Sequence, residues 1–263
     1  MKLKFIVAAT ALAMASYANA GSVLIINGST GTSEPGTTAA ITNNLQTLHQ
    51  AVGNTVTVVS DIPVNFAGYS QIWDIRFSNN FAMTVAQQNQ YLGFLQGGGG
   101  MFLMGENSFF MDRNTSIFNF VNMAGGGVIG PDLIGGCDGT QNVVAPFTGP
   151  NAVTSVNFPC SGVVADNGSG DWITVRADGT GGSGVAWGLG DLANAMDGAL
   201  TVVFDVNFMQ NEYGDALQDL TKNLIGFIGD QVDPPKPVPE PAALALVSLG
   251  LLGLGLTRRR KSR

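Results

Sequence analysis

The segment Ser22-Val-Leu-Ile-Ile-Asn27 decides the fold class of this chain. It is an uninterrupted apolar run of strand length, which is typical of a strand buried on both faces of a sheet. A loop rich in Gly, Ser and Thr follows at residues 28–36, and apolar residues then recur at helical spacing over residues 41–52. A second strand is expected at residues 55–60. Strands of this kind alternating with helices predict a parallel sheet covered by helices on both faces.

The alternation continues beyond the second strand. Further apolar strands are predicted at residues 70–76, 101–104 and 200–204, and an amphipathic helix follows the last of them. Thr84 and Gln87 have the spacing of a capping box, so they predict the start of the helix between the third and fourth strands.

The middle of the body, about residues 125–190, has a different pattern. Short apolar runs are separated there by Gly, Asn and Asp, which favours an antiparallel insertion or an extension of the sheet. The strands predicted for it lie at residues 153–158, 162–166, 172–176 and 184–187.

Charge excludes one class of function. Residues 21–233 contain four basic and 18 acidic residues, a net charge of −14. Nucleic-acid binding needs a basic face, which this body lacks. No nucleic-acid partner is therefore predicted. No sequence motif predicts a cofactor or a metal site either.

The first 20 residues have the pattern of a cleaved signal peptide. Lys2 and Lys4 precede an apolar run at residues 5–14, and Ala18-Asn19-Ala20 is an A-x-A cleavage site. The α/β body is then expected over residues 21–231.

The last part of the chain has three consecutive segments. Residues 232–241 are a Pro-rich, extended spacer, residues 242–257 are an uncharged apolar helix candidate, and residues 258–263 are basic. As a helix, the apolar run 242–256 would span about 23 Å, less than the roughly 30 Å hydrocarbon core of a bilayer. The basic end predicts a cytoplasmic orientation, with the body on the far side of the membrane. By itself this pattern is compatible with a plain C-terminal anchor.

The spacer contains Val238-Pro239-Glu240-Pro241 directly before the apolar run. This order of motif, apolar helix and Arg cluster resembles the PEP-CTERM signal of Gram-negative bacteria. The resemblance implies that a membrane protease of the exosortase type recognises the Pro-Glu-Pro motif and removes the tail. It also implies placement at the cell surface or outside the cell, often alongside exopolysaccharide production.

Cys137 and Cys160 are the two cysteines of the chain. A pair in an exported protein predicts one disulfide, which would close a loop of about 24 residues and contribute on the order of 3 kcal/mol. A catalytic thiol is the alternative, but it needs a base. His49 is the single histidine, lies on another segment and is expected to be a partly buried structural residue.

The order of alternating elements resembles the flavodoxin-like sheet of class I glutamine amidotransferase-like domains. That family carries a nucleophilic Cys in the turn after the Gly-led strand and a later His-x-Glu pair. Here the turn reads Met104-Gly105-Glu106-Asn107, and no later His exists. The resemblance therefore implies the fold and excludes amidotransferase chemistry.

Ligands of open parallel sheets bind at the carboxyl ends of the strands. The candidate ligand-binding residues there are Asn27, Gly28, Ser29, Glu106, Asn107 and Asp205. Glu106 and Asp205 could perform acid/base chemistry or bind a cation, or each could cap a helix or solvate a loop. They are expected at the surface, so Glu106→Gln and Asp205→Asn should weaken any binding at this site while hardly changing the stability of the fold.

Two loops are minor candidates. Residues 28–38 lead into a helix and could cradle an anion, but they lack a P-loop motif. Residues 166–171 offer oxygen ligands on a Gly-rich turn, but they lack the spacing of an EF-hand and fit a hairpin turn.

Together these patterns predict an exported surface or matrix protein with a non-enzymatic α/β module that binds polysaccharide. A carboxylate-based extracellular glycan hydrolase, with Glu106 and Asp205 as its pair, is the alternative.

Overall fold

The computed structural model describes residues 21–130, 133–135 and 139–232. Within these residues a nine-stranded mixed sheet has helices on both faces. Its strands and those of a small second sheet are β1 (Ser22–Ile26), β2 (Thr55–Val59), β3 (Gln71–Asp74), β4 (Gly100–Gly105), β5 (Ile134–Gly135), β6 (Gly139–Val143), β7 (Ser155–Phe158), β8 (Gly162–Val163), β9 (Asp171–Arg176), β10 (Gly184–Trp187) and β11 (Ala199–Phe204).

The large sheet has a parallel half and an antiparallel half. Strands β2, β1, β3, β4 and β11 are neighbours in that order and run parallel, which is the flavodoxin-like order. Strands β10, β9, β6 and β7 continue the same sheet in antiparallel fashion. The flavodoxin-like prediction therefore fits only the parallel half, and the middle segment extends the sheet, because β10 pairs with β11.

The helices are α1 (Pro35–Ala51), α2 (Val85–Gln96), α3 (Met111–Ala124) and α4 (Asp215–Val232). Apolar residues of α1 and α4 pack on one face of the sheet, and those of α2 and α3 pack on the other. Thr84 and Gln87 form the predicted capping box of α2. Helix α3 was not predicted from the sequence.

Strand β1 shows why the apolar run predicted the layers correctly. Val23 and Ile25 join the core under α1 and α4, whereas Leu24 and Ile26 join the core under α2 and α3. A strand with helices on both faces needs apolar side chains at successive positions, because successive side chains point to opposite faces.

The ends of the predicted strands lie within three residues of the observed ones. Helix α4 runs through Val232, the first residue assigned to the spacer. In the described part of the chain, no helix is long and apolar enough to cross a membrane. The predicted signal peptide (1–20), membrane helix (242–257) and basic end (258–263), together with Cys137, lie outside the described residues.

Candidate functional site

The predicted site residues follow strands that end at the same edge of the sheet, which we name the carboxyl edge. Gly105 of β4 pairs with Phe204 of β11. The next residues, Glu106 and Asp205, are therefore neighbours, as predicted. Asn27 follows β1 at the same edge.

Glu106 is only 2% exposed and connects the two strands. Its Oε1 accepts hydrogen bonds from the backbone N–H and the side-chain amide of Asn107, both at 2.9 Å. Its Oε2 accepts the backbone N–H of Val206 at 2.6 Å. Both oxygens are therefore engaged within the fold.

Asp205 is completely buried. Its Oδ1 accepts the N–H of Phe208, which lies in the 3-10 turn Asn207–Met209, at 2.9 Å. Its Oδ2 accepts the N–H of Cys160 at 3.3 Å, which ties the antiparallel half of the molecule to β11.

A segment around residues 160–162 explains why the pair is buried. The carbonyl of Cys160 accepts the side-chain amide of Asn107 at 3.3 Å. A Cβ on Gly162 would lie 2.9 Å from the carbonyl oxygen of Glu106, so the backbone passes directly over the strand ends. The expectation that Glu106 and Asp205 are exposed is therefore wrong, because the sheet extension covers them.

Burial also changes the protonation of the pair. Burial, followed by the charge of Asp205, raises the pKa of Glu106 to about 8. Burial raises the pKa of Asp205 to about 6, although backbone N–H groups oppose the shift. At neutral pH the pair therefore holds a protonated Glu106 beside an ionised Asp205. Catalytic acid and base pairs differ in the same way, but they need access to a substrate.

The other predicted ligand-binding residues are also engaged within the fold. Asn27 donates from Nδ2 to Thr42 Oγ1 at 3.3 Å, and its Oδ1 accepts the N–H of Ser29 at 3.0 Å. Gly28 has φ +63°, and an added Cβ would lie 2.7 Å from the ring of Phe81. The structure thus brings these residues to the carboxyl edge and uses them to shape it.

The backbone N–H groups of the loop considered as an anion cradle are already hydrogen-bonded within the fold. Those of Gly31 and Thr32 donate to the carbonyl of Gly28 at 2.9 and 3.0 Å. Those of Thr30 and Ser33 donate to serine hydroxyls, Ser60 and Ser78 respectively. These donors are therefore paired before any anion arrives.

Two further candidates from the sequence, Asp166 and His49, have structural roles within the fold. Asp166 accepts the N–H of Gly168 at 2.9 Å, as in a turn, and the described residues contain no group of three His, Cys, Asp or Glu that could hold a metal ion. His49 is fully buried, packs edge-on against Trp73 and has its Nδ1 3.0 Å from the amide of Asn54. Burial lowers the pKa of His49 to about 3, so the ring is neutral.

Sequence reasoning missed a buried charge cluster around Asp74. Arg76 contacts both oxygens of Asp74, each at 2.8 Å, and the hydroxyl of Tyr91 donates to Asp74 Oδ2 at 2.9 Å. Nη2 of Arg113 lies 3.1 Å from the same Oδ2, but without the geometry of a hydrogen bond. Two guanidinium groups thus share one carboxylate, which leaves a buried charge of +1.

The cluster also anchors α3. Arg113 donates from Nε to the carbonyl of Met104 at 3.3 Å and from Nη1 to that of Phe81 at 3.1 Å. Burial alone would raise the pKa of Asp74, but the charges of Arg113 and Arg76 hold it well below its usual range. A sequence signal existed, since Arg76 and Arg113 are two of the four basic residues in the body.

A cavity of about 580 Å³ lies at the opposite edge of the sheet, which we name the amino edge. It is formed by the loop 64–70 before β3, by the end of α2 and by Gly97, Gly98 and Gly99 before β4. None of the predicted site residues lines it.

Comparison with known families identifies the tail. Residues 237–261 match the family model of the PEP-CTERM protein-sorting motif. The chain therefore carries a PEP-CTERM protein-sorting motif at this end. The motif implies export toward the cell surface and processing by an exosortase, a membrane protease. No curated protein matches the chain in sequence.

Solved structures share the fold at low identity. The mmIFT52 N-terminal domain has a TM-score of 0.57 and 9% identity, covering 79% of this chain and 96% of that one. A putative ThuA-like protein from Bacteroides uniformis has a TM-score of 0.52 and 15% identity, covering 85% and 96%. The exo-beta-1,4-mannosidase Op5Man5 from an Opitutaceae bacterium has a TM-score of 0.52 and 11% identity, covering 80% of this chain but 36% of the enzyme. These similarities show the fold alone and do not confirm the amidotransferase-like resemblance.

Proposed function

We propose that this chain is an exosortase substrate whose body acts at the cell surface, or outside the cell, as a non-enzymatic module that binds polysaccharide. The chain crosses the inner membrane and is held briefly by its C-terminal apolar helix. The exosortase then cuts at or near Pro239-Glu240-Pro241. The sorting motif at residues 237–261 supports this route.

The state of the carboxylate pair carries the non-enzymatic part of the proposal. A glycosidase needs one carboxyl to protonate the leaving oxygen and a second to attack or to activate water. Here Glu106 and Asp205 are 2% and 0% exposed, and backbone N–H groups occupy oxygens of both. A hydrolase would have to open the carboxyl edge and break these bonds before a sugar could reach either group.

Two measurements test the proposal. Intact-mass analysis of the protein from its native host should show loss of residues 1–20 and of the tail, and deletion of the exosortase should leave the tail in place. An unprocessed chain in the presence of active exosortase would contradict the sorting route.

The second measurement is release of reducing sugar from a panel of polysaccharides by the processed protein. We expect no turnover. Turnover that disappears in Glu106→Gln and in Asp205→Asn would establish the hydrolase alternative instead.

A further inference from the structure

The cavity at the amino edge has the size and construction of a ligand groove. Its volume of about 580 Å³ falls within the range of roughly 300–1,000 Å³ that is typical of binding sites. One wall is the loop before β3, and the other is the last turn of α2 with the glycines that follow it. We name this cavity the aromatic groove.

The loop wall of the groove is anchored by Phe66, which is buried. The ring centroid of Phe66 lies 5.4 Å from that of Tyr91 and 5.5 Å from that of Phe94. Phe94 itself and Tyr69 are only partly buried. Tyr69 and Phe94 lie on opposite walls and therefore keep surface that a ligand can contact, while packing against Phe66 holds Phe94 in place.

Hydrogen bonds to backbone carbonyls hold both walls in place. Nε2 of Gln90 donates to the carbonyl of Pro63 at 2.8 Å and so ties α2 to the loop. The N–H of Gly100 donates to the carbonyl of Ser70 at 3.0 Å. The groove therefore exists before any ligand binds, and little ordering is needed on binding.

The lining of the groove is uncharged and combines apolar side chains with a few polar groups. It contains the amide side chains of Asn65 and Gln90 and the phenol of Tyr69, and none of its residues is Asp, Glu, Lys or Arg. One end of each amide is already hydrogen-bonded within the fold. Oδ1 of Asn65 accepts the N–H of Ala67, and Nε2 of Gln90 donates to the carbonyl of Pro63. The Asn65 amino group and the Gln90 carbonyl remain for a ligand, one as donor and one as acceptor.

Gly93 leaves space along the α2 wall of the groove. It lies inside α2, where glycine costs roughly 1 kcal/mol relative to alanine. A Cβ added there would meet no atom within 4 Å, so packing does not require a glycine. Gly93 lines the groove, and its missing side chain leaves room there.

We infer that the aromatic groove binds a neutral polysaccharide. A pyranose ring has apolar C–H faces, which pack on aromatic rings, and a rim of hydroxyl groups, which pair with amides. An anionic polymer would meet a body of net charge −14 and no cation in the groove. This inference rests on the proposed polysaccharide binding and moves it from the carboxyl edge to the amino edge.

Affinity electrophoresis of the processed protein tests this assignment. Native gels would contain dextran, mannan or galactan as neutral probes and alginate as the anionic probe. We expect at least one neutral polymer to retard the wild type. Tyr69→Ala should weaken that binding about tenfold, as expected for loss of one aromatic contact.

Gly93→Leu is the second variant, because it fills the groove without removing any side chain. Its matched control is Gly226→Leu, since Gly226 lies inside α4, has no atom within 4 Å of an added Cβ and does not line the groove. Binding should weaken at least about tenfold in the first variant and stay unchanged in the second. Thermal unfolding of each variant verifies that it is folded.

The outcomes separate the two proposals. Equal retardation of wild type, Tyr69→Ala and Gly93→Leu would place the polysaccharide elsewhere and overturn the groove, while polysaccharide binding itself would stand. Retardation by alginate alone would overturn the neutral class. A wild type that no polymer retards would overturn both the groove and the binding function, whereas exosortase processing is decided separately by mass.

Discussion

The two edges of the parallel sheet differ in whether their polar groups are buried within the fold or remain accessible to a ligand. At the carboxyl edge, Asp74, Glu106 and Asp205 are buried and their oxygens contact groups of the protein. At the amino edge, the groove has no charged lining and has polar atoms to spare. The carboxyl edge, where the sequence predicts a site, is thus closed to a ligand. The amino edge, where the sequence has no motif, is open. Ionisable residues at strand ends therefore indicate where a site could form, but the covering segments decide whether a ligand can reach them.

The largest expected effect that tests this contrast comes from Asp74→Asn. The substitution leaves Arg76 and Arg113 buried without a counter-charge, since both pair with Asp74. Removing one partner of a buried ion pair costs roughly 3–5 kcal/mol, which we expect in the free energy of unfolding measured with urea. Asp178→Asn is the control, because Asp178 forms an exposed pair with Arg176 at 3.4 Å and exposed pairs of this kind contribute little to stability. Similar losses in both variants would mean that the cluster is not structural.

Glu106→Gln should have the next largest effect. Each oxygen of Glu106 accepts a backbone N–H, from Asn107 or from Val206, and a protonated carboxyl can still do so because its hydroxyl oxygen keeps lone pairs. The NH2 end of a glutamine amide can only donate, so it would leave one of these N–H groups without an acceptor. An unsatisfied buried group costs about 1–3 kcal/mol, and we expect a loss of that size in urea unfolding. A loss below about 0.5 kcal/mol, the usual result of a surface substitution, would show that the carboxyl edge is open in solution.

The same pair predicts a pH dependence of stability. The pKa of Glu106 is raised from 4.5 to about 8 in the folded state, so its stabilising contribution is complete below pH 4.5 and is lost as the pH rises through 8. Asp205 acts in the same direction between pH 3.8 and about 6. Each pKa unit corresponds to about 1.4 kcal/mol, so the melting temperature should be several degrees higher at pH 5.5 than at pH 8.5.

The contribution of Asp74 to stability depends on pH in the opposite direction. Its pKa is depressed in the folded state, so this contribution is lost only as the pH falls below the usual range of an Asp pKa. Melting curves of wild type and Glu106→Gln across this range isolate the effect of Glu106. The variant should show a flatter profile between pH 6 and 8.5, and parallel profiles would assign the slope to other groups.

The parallel half of the fold could be predicted because its central strands β1, β4 and β11 are almost entirely apolar. Such continuous apolar runs indicate strands that are buried on both faces. Helix α3 could not be predicted in this way, because its buried side includes Arg113 and Asn114. These polar residues can be buried because Asp74 supplies a counter-charge for Arg113, and because Asn114 accepts the backbone N–H of Glu106 and donates to its carbonyl.

The candidate site was predictable in part for a similar reason. The meeting of Glu106 and Asp205 follows from the rule for parallel strands, and the two residues directly follow the paired Gly105 and Phe204. Their burial depends on the segment near Gly162, which reaches them from a distant part of the chain. The aromatic groove has no motif at all, since Tyr69, Gln90 and Phe94 come together only through the packing of α2 on the loop before β3.

The smallest expected effect is a gain of stability from Gly93→Ala. The residue lies in a helix with open space around an added Cβ, so alanine should stabilise the fold by about 0.5–1 kcal/mol. Gly53→Ala is the contrasting variant, because Gly53 also has open space but adopts φ +89°, where a side chain is strained. Urea unfolding should therefore show opposite signs for the two substitutions. A single methyl group is too small to fill the groove, so binding of a neutral polysaccharide should persist in the more stable Gly93→Ala variant. A loss of stability in Gly93→Ala would show that the glycine is required by packing, and the argument that it keeps the groove open would then fail.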